Sequence, residues 1–258
     1  MPLLAGLPVI AFLLILTAFI KKSPCGLRLS FLWAAAIWSF VAIAMSEGFS
    51  IFHALTQGFV AGGWVAAVCV SLIVLFVYPN GPQKTGLGKL KDFSKTEMIL
   101  AGLAALAIVI VGVNAVFAAP NNWDSMTYHL PRVLHWIQDQ SIEYYPTHIL
   151  RQLYQPPGAE FLILQFQILS HSDQFSNLIQ WFAMLSSALV LSLIAGELGA
   201  GRKGQLVAAL LSVTIPMGIL QGSSTQNDYV AGFWLTASVL FGLRCLRPDR
   251  SRQMWPDT

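Results

Sequence analysis

The chain has 258 residues, of which 55% are apolar and 10% charged, far below the roughly 25% charged residues of an ordinary soluble domain. That balance excludes a water-soluble globule. With a net charge of only +3 and no basic run interleaved with aromatics, it also gives no sign of a nucleic-acid partner. A helix crosses a hydrocarbon core of about 30 Å with about 20 apolar residues, and the sequence offers such runs repeatedly. The expected fold class is therefore all-α: a polytopic transmembrane helical bundle of about seven spans plus one re-entrant or juxtamembrane helix.

The first run, 3–20, has no basic segment before it and no small-x-small cleavage site before Lys21, so it reads as a retained span rather than a cleaved signal peptide. Further spans are expected at 30–45, 59–78, 98–119, 177–198, 206–220 and 229–246. The 79–97 loop, rich in Gly and Lys, divides the chain into 1–97, three leading helices with a basic inner loop, and 98–258, a transmembrane core with a long outer loop at 120–157. Its Gly86, Gly88 and Lys89 lack the spacing of a phosphate-binding loop, so they read as part of a positively charged connector. Cys25, Cys69 and Cys245 have no CxxC spacing and read as ordinary helix residues.

One apolar run, Gly158–Ser170, is too short to cross comfortably. Charge decides its placement, because cytoplasmic loops collect Lys and Arg. If it does not cross, Lys21, Lys22, Arg28, Lys84, Lys89, Lys91, Lys95, Arg202, Lys203, Arg244, Arg247, Arg250 and Arg252 share the inner side, and only Arg132 and Arg151 lie outside. If it crosses, the later loops invert and this segregation is lost. The non-crossing arrangement puts the N-terminus outside and the C-terminus inside.

The outer loop differs from everything around it. Four of the five histidines (His129, His135, His148 and His171) and four of the six tyrosines (Tyr128, Tyr144, Tyr145 and Tyr154) lie in or beside it, whereas a connector needs only a few residues. Asp124, Tyr128 and Arg132 fall at i, i+4 and i+8, one face of a helix if Pro131 does not break it. A carboxylate at Asp124 suits a general base or a stabiliser of developing positive charge; equally, it suits a helix cap. Arg132 and Arg151 are able to fork donors onto a phosphate or to pair with Asp124, Asp139 or Glu143. His129 and His135, six apart, do not have the spacing of a zinc motif. Tyr144, Tyr145 and Trp136 suit a headgroup-level aromatic belt. A second polar patch, 223–228, ends in Asp228, which suits either the N-cap of the last helix or a second outer carboxylate.

The runs WDSMTYHLPR at 123–132, YPT at 145–147, RQLYQPPGAEF at 151–161 and TQND at 225–228 resemble membrane glycosyltransferases of the GT-C superfamily. The likeness is to the dolichyl-phosphate-mannose protein mannosyltransferases and the lipopolysaccharide-core glycosyltransferases, and it covers roughly 98–246. What it implies is a hexosyl- or pentosyltransferase in the bacterial inner membrane. Such an enzyme moves a sugar from a polyprenyl-phosphate donor to a lipid, glycan or protein acceptor on the outer face, among membrane lipids and without a cofactor or a metal that the sequence supports. By the same resemblance Asp124 is the catalytic base that deprotonates the acceptor hydroxyl, Arg132, Arg151 and Tyr154 hold the donor phosphate, and Asp228, Tyr128 and His129 support them. Relatives often carry paired acids in this loop, whereas Asp124 is followed by Ser125, so a second carboxylate is expected from elsewhere. Members are usually longer, and the chain is expected to be a truncated one. The alternative expectation is a non-catalytic membrane module that binds a lipid or a partner.

Overall fold

A computed structural model describes residues 2–81 and 93–246. The inner-loop residues Lys84, Gly86, Gly88, Lys89 and Lys91 and the tail residues Arg247, Arg250 and Arg252 lie outside the described residues. Within them the chain is helical throughout, without strands. In order it forms α1 (Gly6–Lys22), α2 (Leu27–Ser50), α3 (Gln57–Val77), α4 (Lys95–Phe117), α5 (Leu130–Asp139), α6 (Arg151–Tyr154), α7 (Gly158–Ser170), α8 (Asn177–Glu197), α9 (Arg202–Thr214), α10 (Pro216–Gly222) and α11 (Asp228–Cys245).

Among the described residues, five helices are long and apolar enough to cross a membrane: 3–22, α2, α3, α4 and α8. Their outward faces carry large apolar side chains such as Phe59, Val70 and Phe76 on α3 and Leu106, Val109 and Ile110 on α4. A soluble protein does not sustain such continuous apolar faces, and the chain is a multi-pass membrane protein. The expected 206–220 span is two helices, α9 and α10, bent by 66°. The expected last span is α11, an 18-residue helix with Asp228 in its first turn and Arg244 in its last; those end charges keep it out of the group of five.

The bend at Pro216 has a local cause and a local remedy. Proline lacks an N–H, so the carbonyl four residues earlier loses its helical donor. That carbonyl, on Ser212, receives the Tyr229 hydroxyl from α11 at 2.8 Å. In lipid a freed carbonyl has no water to turn to, so Tyr229→Phe is expected to lower stability by about 1–3 kcal/mol, read as a fall in the melting temperature of the detergent-purified protein.

α7 is short and buried along its whole length from Ala159 to Ser170. It packs against α2, α3, α5 and α8. Gln165, in its middle, accepts from Trp64 Nε1 of α3 at 3.0 Å and donates to Ser46 Oγ of α2 at 2.9 Å. Polar ties of this sort hold helices together where the hydrophobic effect does not. At its far end the Leu169 carbonyl receives Gln57 Nε2 from the start of α3, while Glu160 near its start meets the 120–157 segment. Both ends of α7 thus lie at one end of the bundle, and α8 sets off from that same end, where Asn177 Nδ2 donates to the Ala118 carbonyl just past α4. α7 does not cross. One buried cluster runs through α1, α2, α3, α5, α7, α8 and α11, so the 79–97 loop is a boundary in sequence but not in packing.

The bundle therefore has two distinct ends. At one, Arg28 reaches Gln205 at 2.8 Å, Arg244 pairs with Glu197 at 2.9 Å and Arg202 lies 4.0 Å from Glu97. Lys21 and Lys22 sit there too, next to 78–81. At the other end lie the 120–157 segment, the 171–176 turn and the 223–227 loop. Among the described residues the cations there are Arg132 and Arg151. Cys69 and Cys245 are helical, and Cys25 is buried in the turn before α2; all three are free.

Candidate functional site

The 120–157 segment begins helically at Trp123, and Pro131 does not stop it. A π-helical turn, Ser125–His129, precedes α5, with the Leu130 N–H reaching the Ser125 carbonyl. Proline in place of a donor frees the carbonyl at i−4, here Thr127, and the Gln152 amide donates to it at 2.8 Å. The same Gln152 accepts the Tyr145 and Thr147 hydroxyls at 3.2 and 3.0 Å. One side chain thus fastens the 145–147 stretch and α6 to the π turn. Insertion of the π turn also shifts the helical register between Asp124 and Arg132.

Asp124 is one-third exposed and does not cap the helix; that task falls to Asn122, whose Oδ1 accepts from the Ser125 N–H at 2.7 Å. Instead Asp124 stands between two elements. Its Oδ1 lies 3.6 Å from Arg151 Nη1 at the start of α6, and its Oδ2 accepts from Gln226 Nε2 at 3.3 Å. Gln226 belongs to the second polar patch, so the two outer segments singled out in the sequence meet at this carboxylate. Asp228 lies in the first turn of α11, preceded by Asn227 as the cap residue, where the helix N-terminus favours its charge.

Arg132 is not the open phosphate ligand expected from its sequence. It is 1% exposed, and its guanidinium donates to the carbonyls of Gln152 at 2.6 Å, Gln155 at 3.0 Å and Arg151 at 2.8 Å, and to Glu160 Oε1 at 3.3 Å. Four of its five N–H donors are spent on the protein, and its role is to hold α6 and the start of α7 in place. Arg151, about half exposed, is the cation that remains presented.

Glu160 and His129 are both fully buried, with His129 Nδ1 2.7 Å from Glu160 Oε1. The carboxylate thus receives His129 and Arg132 on one oxygen. His135 goes elsewhere, stacked 4.0 Å from the Tyr145 ring. Among the described residues no three His, Cys, Asp or Glu side chains converge as a metal site. Burial pushes the Tyr128 phenol up, with Asp124, Glu160 and Asp228 adding to the shift and Arg151 opposing it. Burial likewise pushes Tyr145 up to about 12, keeping it a hydroxyl donor to Gln152.

A cleft of about 940 Å³ opens nearby, lined among others by Glu47, Trp136, Glu143, Tyr144, Tyr154 and Phe161. α6 gives Arg151 to Asp124 and Tyr154 to this cleft, so Tyr154 shares a lining with Arg132 but not with Arg151. Neither Asp124 nor Arg151 lines the cleft. The expected aromatic belt is also reduced: Tyr144 is exposed, but Trp136 and Tyr145 are buried. Trp136 packs against Phe161 and under the Arg132 guanidinium.

Glu160 and Gln226 were not among the expected site residues. The signal for Glu160 was a carboxylate placed two residues into an apolar run, which in a membrane protein marks a buried, partnered charge. Nothing in the spacing of Gln226 identifies it as the partner of Asp124. Comparison with family models, with curated proteins and with solved structures finds no match to this chain.

Proposed function

We propose that the protein is a membrane glycosyltransferase that moves a sugar from a polyprenyl-phosphate donor to a lipid, glycan or protein acceptor, in the manner of the GT-C superfamily its motifs resemble. The observation that carries this reading is the placement of Asp124, a part-exposed carboxylate held between Arg151 and Gln226 at the bundle end where cations are scarce. A carboxylate beside a presented guanidinium supplies the two charges the reaction needs. Arg151 takes the donor phosphate, and Asp124 takes up the proton or the positive charge that develops as the sugar leaves. The cleft, with Glu47 and Glu143 among its lining, disfavours phosphate and suits a hydroxyl-bearing acceptor, with Tyr144 and Tyr154 as stacking faces. Asp228 and Tyr128 complete the charged surround.

In this reading the Arg151 end faces outward from a bacterial inner membrane and the Arg28, Arg202 and Arg244 end faces the cytoplasm. That sidedness follows the positive-inside rule, with the α9 and α10 pair and α11 completing the count of seven spans. Arg151→Gln is expected to raise KM for a polyprenyl-phosphate sugar about tenfold or more while changing kcat less, because a ground-state phosphate contact is lost. Unchanged KM would remove Arg151 from the donor site.

A second reading is favoured by the same contacts. Arg132 with Glu160 and Arg151 with Asp124 satisfy one another, as they would in a non-catalytic module that binds a lipid or a partner. That reading expects no turnover of any polyprenyl-phosphate sugar and no effect of Asp124→Asn beyond binding.

A further inference from the structure

In the segments that meet at Asp124 and Glu160, several buried polar atoms are left unused by the donor and acceptor assignments. Ser125 Oγ, His129 Nε2, Glu160 Oε2 and Thr225 Oγ1 are all buried and have no hydrogen-bond partner. Buried polar atoms in native proteins are paired in roughly nine cases out of ten, so four in these segments point to a function. Ser125 and His129 are four residues apart on the π turn, and each adjoins a residue already placed: Ser125 follows Asp124, and Thr225 precedes Gln226, the partner of Asp124. Tyr128 connects the two levels, its ring 4.0 Å from that of His129 and its hydroxyl within the field of Asp124 and Asp228.

The chemistry of the dyad is directional. An ionised carboxylate only accepts, so at 2.7 Å His129 Nδ1 carries the proton toward Glu160. A neutral ring then has its lone pair on Nε2. A carboxylate that fixes a histidine tautomer and balances the imidazolium formed later is the arrangement by which a histidine becomes a general base. Arg132 binds the same Glu160 oxygen at 3.3 Å. Asp124 is placed differently: it is held by a cation and an amide donor, which suits a fixed negative charge.

We propose that His129, oriented by Glu160, is the proton acceptor of the transfer reaction, reached from the attacking hydroxyl group by relay. The assignment rests on the glycosyl-transfer reading and divides its labour: Asp124 stabilises positive charge on the sugar, and His129 takes the proton. The acceptor O–H bond breaks and its oxygen bonds to the anomeric carbon. The bond from that carbon to the donor phosphate oxygen breaks, its electron pair leaving on polyprenyl phosphate. The proton goes to Nε2, and the imidazolium is neutralised by Glu160. Because His129 is fully buried, the proton reaches it across one water, a distance over which general bases operate.

Two substitutions separate chemistry from packing. His129→Asn keeps an amide N–H where Nδ1 donates to Glu160 but has nothing at Nε2; His129→Gln reverses the emphasis. Release of polyprenyl phosphate from polyprenyl-phosphate mannose and polyprenyl-phosphate glucose in proteoliposomes is measured with the melting temperature. Nitrogen NMR of ¹⁵N-histidine-labelled wild type and His129→Asn assigns the tautomer of His129 without any need for turnover. The groups facing the ring are Glu160 of α7, Arg132 of α5 and Tyr128, with Asp124, Arg151 and Asp228 around Tyr128.

The expected result is a proton on Nδ1, a bare Nε2, and a loss of about 100-fold in kcat for His129→Asn with a near-native melting temperature. A proton on Nε2, or His129→Asn retaining more than a tenth of wild-type turnover, overturns the proposal. Where wild type releases no polyprenyl phosphate but Nε2 is bare, the glycosyl-transfer reading fails and with it the catalytic use of the dyad, while the tautomer stands. A proton on Nε2 in an active enzyme sinks the dyad alone.

Discussion

Asp124→Asn is expected to lower transfer from a polyprenyl-phosphate sugar by about 100-fold or more without unfolding the protein. The two effects separate because of what Asp124 touches. Its contact with Gln226 Nε2 survives, since an asparagine oxygen accepts as a carboxylate oxygen does. The pair with Arg151 is lost, but at 3.6 Å with Arg151 about half exposed such a pair contributes at most about 1 kcal/mol. What the substitution removes is charge at the point where charge develops. Melting temperature and transfer rate measured on the same preparation check both halves: a folded variant with full activity removes Asp124 from the chemistry, and an unfolded one shows a structural role that its contacts do not indicate.

Arg132→Met is expected to do the reverse, damaging the fold first. Methionine fills much of the same volume, but the carbonyls of Arg151, Gln152 and Gln155 lose their donor and Glu160 is left fully buried with His129 as its remaining partner. Breaking one side of a buried ion pair costs about 3–5 kcal/mol, enough to take much of the stability of a typical domain. The expected readout is a large fall in melting temperature, or aggregation on extraction. Adding Glu160→Gln removes the unpaired charge and is expected to recover part of the loss, because a neutral amide is cheaper to bury than an uncompensated carboxylate. If Arg132→Met melts like wild type, Arg132 is not the strut described and its guanidinium is free for a ligand.

Much of the architecture was legible because the bilayer writes its demands plainly into sequence. Runs of about 20 apolar residues mark helices, and the separation of Arg132 and Arg151 from the other described cations is visible both as a charge count and as two ends of a bundle. The short α7 was legible for the same reason, as an apolar run of 13 residues. Less legible was how prolines act. Pro131 and Pro216 each free a carbonyl, and whether the helix breaks depends on a side chain far away in sequence: Gln152 for the first, Tyr229 for the second. Around Pro131 the result is a π turn and around Pro216 a 66° bend, a difference that no local pattern contains.

The candidate site divided in a similar way. Composition drew attention to 120–157 and 223–228, and these segments do meet, through Asp124 and Gln226. The roles within them were harder to assign, because two arginines of equal chemistry differ only in what surrounds them. Arg132 lies at the junction of α5, α6 and α7 and is consumed by backbone carbonyls, while Arg151 is half exposed. Glu160 read as one more outer acid, yet it is the charge that fixes both Arg132 and His129. Partner identity over 28 to 31 positions, as for Arg132 and His129 with Glu160, is a property of the fold and not of spacing.

The central claim is that this bundle end transfers sugars from a lipid-linked phosphate. Its most direct test is the release of polyprenyl phosphate by the purified wild-type chain in proteoliposomes, using polyprenyl-phosphate hexose and pentose donors with a membrane lipid extract as the source of acceptors. Stoichiometric appearance of polyprenyl phosphate and a glycosylated product, absent with Asp124→Asn, is the expected result. Intact donor after prolonged incubation with folded wild-type protein, across both donor classes, would contradict it and leave the lipid- or partner-binding module in its place.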